Sequence, residues 1–128
     1  MIEFDYRYEK ASYYPLIEFV LEKDTKLIRT DAIVDSGAAI SIFKADIGRA
    51  LGIDIKKGEK RIFQGASAKL IGYVHEIGLI INEHKIKCKV AFSDDLQTSF
   101  NLLGRETVFD KFLIIINEKQ KKIRFEVI

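Results

Sequence analysis

The segment IVDSGA, residues 33–38, places a carboxylate, a hydroxyl and a glycine directly after an apolar run. Asp and Ser side chains bond nearby backbone groups and Gly relaxes the backbone, so a DSG triplet is by itself compatible with an ordinary turn. A triplet of this kind occurs by chance in roughly one chain in twenty of this size. The role of Asp35 therefore depends on what the rest of the chain places around it.

The composition is typical of a globular domain with a real core. The chain has 128 residues, of which 48% are hydrophobic and 31% charged, with one proline, and we expect a single domain over residues 1–128. No apolar run reaches the about 18 residues of a membrane span, and the N-terminus MIEFDYRYEK lacks the pattern of a signal peptide. Cys88 is the only cysteine, so no internal disulfide can form. We expect a cytoplasmic protein with no membrane partner.

Alternating apolar and polar residues predict a first β-hairpin that ends at Asp35. PLIEFVLEKD, residues 15–24, reads as one strand, DTK supplies a turn, and KLIRTDAIVD, residues 26–35, returns as the second arm. The residues expected on the inner face of the first arm are Ile17, Phe19 and Leu21.

Two further segments are typical of half-buried strands. HKIKCKVAF, residues 84–92, alternates between a lysine face and an apolar face. FLIIINEKQKKIRFEVI, residues 112–128, predicts a C-terminal hairpin with a polar loop. The residues expected to face inward are Ile86, Cys88, Val90 and Phe92 in the first segment and Ile123, Phe125 and Val127 in the second.

Helical signals are few. ISIFKADIGRALGI, residues 40–53, has apolar residues near helical spacing and Gly52 as a stop, which predicts a short helix over about residues 44–51. GRETVFDKF, residues 104–112, predicts a second short helix after Gly104. The expected fold class is therefore all-β in the main, with two short helices.

A long hairpin is expected between the first helix and the lysine-rich strand. In RIFQGASAKLIGYV, residues 61–74, two apolar arms flank the small and polar stretch QGASAK. If this stretch overhangs a cleft, its small side chains let backbone groups approach a bound ligand.

Several chemistries lack their motifs. GxSxG and the glycine-rich phosphate loops are absent, and an aspartyl-phosphate enzyme would carry a second acid where Gly37 stands. A metal site would have to use His75, His84 and Cys88, which no paired cysteine motif supports. We expect neither a metal nor another cofactor.

The second half of a constellation lies some 65 residues downstream of Asp35, where NLLGRETVF, residues 101–109, places an apolar pair before a glycine. In this order, AIVDSGAAIS, the hairpin and LLGR resemble the retropepsin-like aspartic proteases, the single-domain family that includes retroviral proteases and their cellular and microbial relatives. The resemblance covers about Leu16 to Phe125. It implies a retropepsin-like acid protease β-barrel with one lobe per chain in a homodimer, and aspartic endopeptidase activity.

Peptide hydrolysis by carboxylates explains why a dimer is expected. One carboxylate takes a proton from water while a second, protonated carboxyl polarises the scissile carbonyl. The chain has one DSG motif, and its other acids lack this context. A twofold axis that places Asp35 beside the partner's copy supplies the second group.

The resemblance also assigns roles to the neighbours of Asp35. Ser36 bonds across the axis between the two loops, and the Gly37 N–H reaches the carboxylate. Leu102 and Leu103 pack under the catalytic loop, Gly104 permits their close approach, and Arg105 belongs to the same supporting segment.

The substrate is expected to be an extended peptide that pairs with backbone groups of the protein. The residues implied in substrate binding are Ala38, Gln64, Gly65, Ala66 and Ser67. Retroviral enzymes carry acids after the motif that pair with the arginine of the GR pair, whereas this chain has Ala39 and Ile40. Arg105 is thus without an obvious partner, and cleavage specificity does not follow from the resemblance.

Two other functions stay open at this point. One is a retropepsin-fold module that binds peptides or drives dimerisation without cleaving. The other is a β-rich nucleic-acid binder that uses Lys85, Lys87, Lys89 and the KQKKIR loop. The formal net charge of +2, which comes from interspersed lysine and glutamate, favours no nucleic-acid partner.

Overall fold

The computed structural model describes residues 1–64 and 68–128, and these parts of the chain form three β-sheets. The helices are α1 (Ala45–Ala50) and a 3₁₀ helix (Ile55–Lys57). The strands are β1 (Ile2–Asp5), β2 (Arg7–Glu9), β3 (Ser12–Tyr14), β4 (Leu16–Lys23), β5 (Lys26–Val34), β6 (Ser41–Lys44), β7 (Glu59–Gln64), β8 (Lys69–Ile81), β9 (His84–Ser93), β10 (Leu102–Leu103), β11 (Phe112–Asn117) and β12 (Lys122–Val127).

The largest sheet closes on itself. Its strand order is β4-β5-β10-β6-β9-β8-β7, and an additional pairing of β4 with β8 joins six of these strands into a barrel. The 13-residue strand β8 makes this closure possible. Its first half pairs with β7 and its last residues pair with β4, while β9 lies along its other edge. The first half of β8 and β7 therefore project from the barrel as a two-stranded arm.

The barrel core follows the predicted alternation. The inner residues of β4 are buried as expected, and so are Cys88, Val90 and Phe92 of β9. Phe43 packs edge-on against Phe19, with 5.9 Å between ring centroids. Burial is the main cause that raises the pKa of the Cys88 thiol to about 12. The thiol is therefore protonated at neutral pH and is a poor nucleophile or metal ligand.

The C-terminal hairpin pairs with the N-terminal strand in the order β1-β12-β11. Ile123 and Phe125 are buried as predicted, but the prediction for Val127 is wrong, since its side chain is 57% exposed. The last pair between β1 and β12 joins Ile2 to Phe125. No residue of β1 is left to cover Val127.

One of the two predicted helices is confirmed. Helix α1 occupies the expected region, and Gly52 beyond it has φ +80°, a conformation that favours glycine. The predicted helix after Gly104 is wrong, because residues 105–111 form a series of turns. Thr107 has φ +63°, which no helical residue adopts. The second short helix is instead the 3₁₀ turn at Ile55–Lys57.

The predicted long hairpin is confirmed in its arms. Strands β7 and β8 pair from Glu59 with Val74 to Gln64 with Lys69. Residues 65–67, which include three of the residues implied in substrate binding, lie outside the described residues. Within the described ranges, no helix has the length and apolar character needed to cross a membrane.

Candidate active site

Asp35 lies where two parallel strands end side by side. Strand β10 pairs with the end of β5, with Leu103 opposite Val34. The Asp35 N–H donates to the carbonyl oxygen of Leu103 at 2.9 Å, and the Val34 N–H donates to that of Pro15 at 2.9 Å. Segments from both sides thus hold the backbone that carries the carboxylate.

The loop after β5 orients the Asp35 side chain. The Gly37 N–H donates to Asp35 Oδ1 at 2.9 Å, and the Ala38 N–H closes a turn onto the Asp35 carbonyl at 3.1 Å. A Cβ atom on Gly37 would lie 3.1 Å from the same Oδ1, tighter than an ordinary contact. Asp35 is half-buried and Ser36 is exposed. One carboxylate oxygen is therefore fixed from within the loop.

The segment after β10 supports this loop from below. The Arg105 N–H donates to the Ala38 carbonyl at 2.9 Å, and the Glu106 N–H donates to the Ala39 carbonyl at 2.8 Å. A Cβ atom on Gly104 would lie 2.4 Å from the Ile40 carbonyl carbon and 2.8 Å from the Ala38 oxygen. The two backbone segments can approach this closely because residue 104 has no side chain.

Two buried polar residues that the sequence interpretation missed join these segments. Ser41 is fully buried, and its Oγ accepts the Gly104 N–H at 2.9 Å. Asn101 is 6% exposed; its Oδ1 accepts the Lys44 N–H at 2.9 Å and its Nδ2 donates to the Asp31 carbonyl at 3.0 Å. Buried polar side chains in native proteins are hydrogen-bonded, so Ser41 within the apolar run ISIF was a usable signal.

Substitution of Ser41 by alanine is expected to destabilise the protein. The buried Gly104 N–H would lose its acceptor, at a cost of about 1–3 kcal/mol. Urea denaturation monitored by circular dichroism measures the change. The matched control is Ser12→Ala, since Ser12 is exposed on strand β3, and an equal effect of the two substitutions would contradict the role given to Ser41.

Asp35 opens onto an apolar cleft with a volume of about 410 Å³. Asp35 is the only ionisable side chain among the described residues that line it. The remaining lining residues are Gly37, Ala38, Ala39, Ile40, Ile42, Phe63, Gln64, Leu70, Leu96 and Leu102. The cleft thus presents a single carboxylate on an apolar surface.

The expected site residues are distributed around this cleft. Ala38, Gln64 and Leu102 line it, and Leu103 is fully buried in the core next to Leu102. Other apolar lining residues, which come from the residue before β6, from β6, from the arm and from the segment before β10, had not been assigned to a cleft from the sequence. They are Ile40, Ile42, Phe63, Leu70 and Leu96.

Arg105 lies beside the cleft, in a shallow depression that it shares with Ala39 and Asp110. Its side chain is exposed and joins none of the ion pairs formed by residues 1–64 and 68–128. Glu106, the next residue, contacts Arg61 of β7 at 3.6 Å. The acidic residue next to Arg105 in the chain is thus engaged by Arg61.

The candidate metal ligands do not come together. No group of three or more His, Cys, Asp or Glu side chains that could hold a metal ion occurs in the described part of the chain. The His75 ring contacts the Ile55 carbonyl through Nε2 at 2.8 Å. The buried Cys88 thiol is protonated at neutral pH, as its raised pKa of about 12 requires.

Four of the seven basic residues considered for nucleic-acid binding form ion pairs within the described ranges. Lys85 contacts Glu22, Lys121 contacts Glu118, and Lys122 contacts Asp5 at 2.7 Å. Acidic partners reduce the positive potential that would attract a phosphate backbone. These contacts disfavour the nucleic-acid reading.

Neither a protein-family model nor a curated protein matches the sequence. Solved structures do match the fold. A retropepsin-like aspartic protease from Rickettsia conorii aligns with a TM-score of 0.70 over 96% of this chain and 89% of its own, at 16% identity. EIAV protease complexed with the inhibitor HBY-793 aligns with a TM-score of 0.56 over 77% of this chain and 88% of its own, at 17% identity. The chain has a retropepsin-like fold, as its motifs predict.

Proposed function

We propose that the protein is an aspartic endopeptidase in which two copies of Asp35, one from each chain of a homodimer, activate a water molecule. Each chain would contribute one lobe over residues 1–128. The observation that carries this proposal is the Asp35 carboxylate, held by the Gly37 N–H at 2.9 Å at the edge of an apolar cleft. The retropepsin-like fold of the chain supports it.

A second chain is needed because one cleft holds one carboxylate. Asp35 is the only acid among its described lining residues, whereas the reaction requires one group to accept a proton and another to donate one. Two neighbouring carboxyls share a single proton, since like charges about 3 Å apart cannot both ionise. A twofold axis next to the exposed Ser36 would bring the two loops together.

The reaction follows from this shared proton. The ionised Asp35 takes a proton from water as the water oxygen attacks the scissile carbonyl carbon. The protonated Asp35 of the other chain donates to the carbonyl oxygen, which gives a neutral tetrahedral intermediate. When the C–N bond breaks, the Asp35 that was protonated by water passes its proton to the leaving nitrogen. The other Asp35 takes a proton from a hydroxyl of the intermediate, so a carboxylic acid and an amine leave and the pair again holds one proton.

The supporting residues keep the carboxylate in place during these steps. The Gly37 N–H favours one orientation of the carboxylate plane, and a hydrogen bond to a charged acceptor is stronger than one to a neutral acceptor. The Ser36 hydroxyl is free to bond across the axis because the side chain is exposed. Leu103 and Gly104 fix the position of the Asp35 loop relative to β10. The Leu103 carbonyl accepts the Asp35 N–H, and the Gly104 backbone packs against Ala38 and Ile40.

The cleft lining favours a peptide with a large apolar side chain next to the scissile bond. Phe63, Leu70 and Leu96 form part of its apolar surface, and a buried charge without a partner would be costly there. In paired peptides that differ only at this position, leucine is expected to give the higher kcat/KM and aspartate the lower. Equal values would contradict this specificity.

A mixing experiment tests the shared site. In an equal mixture of wild-type protein and Asp35→Asn, random exchange leaves about one quarter of the dimers with both carboxylates. Peptidase activity per wild-type chain is therefore expected to fall to about half, and to fall further as the variant is added in excess. The control adds the same amounts of Asp24→Asn, which changes an exposed turn and remains active, so total activity is expected to rise in proportion to the total amount of chain. Activity that depends only on the amount of wild-type chain would show that each chain acts alone.

A further inference from the structure

The arm formed by Glu59–Gln64 of β7 and Lys69–Val74 of β8 carries part of the cleft wall. Phe63 and Leu70 are opposite each other in its register, and both line the cleft. Their packing partners are in a small apolar cluster with Ile40 and Ile42 at its centre, which also includes Leu96. The shape of the cleft thus depends on how the arm is held against the barrel.

The barrel strand next to the arm ends before the arm does. Strand β9 pairs with β8 only as far as Phe92, which lies opposite Tyr73. Beyond this pair, none of the described strands lies beside the edge of β8 that faced β9. Ile71 lies two residues beyond Tyr73, so its N–H and C=O point toward the same side as those of Tyr73.

At Ile71, side chains take the place of a neighbouring strand as hydrogen-bond partners of the backbone. The Ile71 N–H donates to Asp95 Oδ2 at 3.0 Å, and the Ile71 carbonyl accepts the Ser93 hydroxyl at 2.6 Å. Ser93 Oγ in turn accepts the Asp95 N–H at 3.0 Å. The chain continues directly from Asp95 to Leu96, which lines the cleft with Leu70.

We infer that Asp95 is a positioning residue for the cleft: by accepting the Ile71 N–H, it joins the segment of Leu96 to the arm and sets the spacing between Leu96 and Leu70. Asp95 is not one of the reacting carboxylates; it acts on the shape of the cleft. Its effect on catalysis rests on the proposed function, but its effect on the arm does not.

The adjacent residue provides a matched comparison. Asp94 has the same side chain in the same segment, but its oxygens accept from the Arg49 guanidinium of α1 at 3.0 and 2.6 Å. Removing the Asp94 carboxylate changes the charge of the segment without touching Ile71. A difference between substitutions at the two positions therefore reports on the contact with the arm.

Amide hydrogen exchange measured by NMR tests the inference directly. In Asp95→Ala, exchange at Ile71 is expected to rise by at least about tenfold, because its N–H loses a charged acceptor. In Asp94→Ala it is expected to stay as in the wild type. Asp95→Asn keeps an oxygen acceptor and is expected to restore most of the protection. Exchange at Leu79 and Ile81, which are buried in the barrel, separates a local change from general unfolding.

A kinetic measurement on a peptide substrate adds a second readout. Asp95→Ala is expected to raise KM several-fold with little change in kcat, because the wall of the cleft is displaced while Asp35 is not. Unchanged exchange at Ile71 in Asp95→Ala, or an equal rise in Asp94→Ala, would overturn the inference. A wild-type protein without peptidase activity would instead overturn the proposed function, and the exchange experiment would still decide the role of Asp95.

Discussion

Replacement of Asp35 by asparagine is expected to lower peptidase activity by at least about a thousandfold, because general acid–base catalysis by a positioned carboxylate contributes factors of this order. Asparagine has nearly the same shape, and its amide oxygen can still accept the Gly37 N–H that reaches Asp35 Oδ1 at 2.9 Å. What it cannot do is take a proton from water. The measurement is kcat/KM on an unfolded protein or a peptide with a leucine or phenylalanine at the cleavage site, from acidic to neutral pH.

The matched control for this substitution is Asp24→Asn. Asp24 lies in the turn between β4 and β5 with φ +54°, and asparagine adopts such a conformation as readily as aspartate. The control is expected to retain wild-type activity and stability. Equal activity of the wild type and Asp35→Asn would reject the catalytic role of Asp35.

Comparison of the wild type with Asp35→Asn also distinguishes a protease from a non-catalytic peptide-binding module. Peptide binding measured by fluorescence polarisation is expected to survive in Asp35→Asn, since most of the cleft surface is apolar and unchanged. If the wild type binds peptides as the variant does and cleaves none of them at any pH, the non-catalytic binding module becomes the better description. Cleavage by the wild type alone supports the protease.

Replacement of Gly104 by alanine is expected to cause the largest loss of stability among substitutions of the glycines that the structure describes. The new Cβ atom would lie 2.4 Å from the Ile40 carbonyl carbon and 2.5 Å from its oxygen. These are backbone atoms in a segment fixed on both sides, so they cannot move away cheaply. Overpacking against such atoms costs about 3 kcal/mol or more, which is visible as a lower midpoint of urea denaturation.

A second glycine shows whether the effect belongs to this site. At Gly78 in β8, an added Cβ would meet Lys85 Cε at 3.3 Å and Glu22 Cβ at 3.4 Å, and the lysine end can move. Gly78→Ala is expected to change the free energy of unfolding by less than about 1 kcal/mol in either direction. Comparable losses at the two positions would show that Gly104 is not specially constrained. Activity of Gly104→Ala is expected to fall as well, because the Ala38 and Ile40 carbonyl groups of the Asp35 loop lie directly against Gly104.

Much of the strand pattern could be predicted because period-two alternation reports directly on which side of a sheet is buried. The segments around Phe19 and Cys88 follow this rule. The exposed Val127 does not, because its burial depends on a neighbouring strand that ends at Ile2.

The turn at Thr107 was missed for a similar reason. Its Oγ accepts the Lys89 N–H at 2.9 Å, a contact from a distant strand that local helix signals do not contain.

In the candidate site, too, contacts between sequence neighbours could be predicted and contacts between distant residues could not. The contact between Gly37 and Asp35 spans two residues, so the DSG triplet itself specifies it. Ser41 and Gly104 meet across 63 residues, and Ile71 meets Asp95 across 24. The position of Ser41 in an apolar run indicates burial, but the sequence does not identify the partners of Ser41, Asn101 or Asp95, because these residue types are also frequent in ordinary turns.

By itself, the sequence determined the strand pattern through alternation, indicated the fold through the order of its motifs, and specified the hydrogen bond that orients Asp35 through neighbours two residues apart. Only the tertiary structure decided which distant residues support the loop and which apolar side chains form the cleft. The reason is that closure of a barrel places strands together by their hydrogen-bonding edges, and a side chain's partner across such an edge is fixed by register and not by its distance along the sequence.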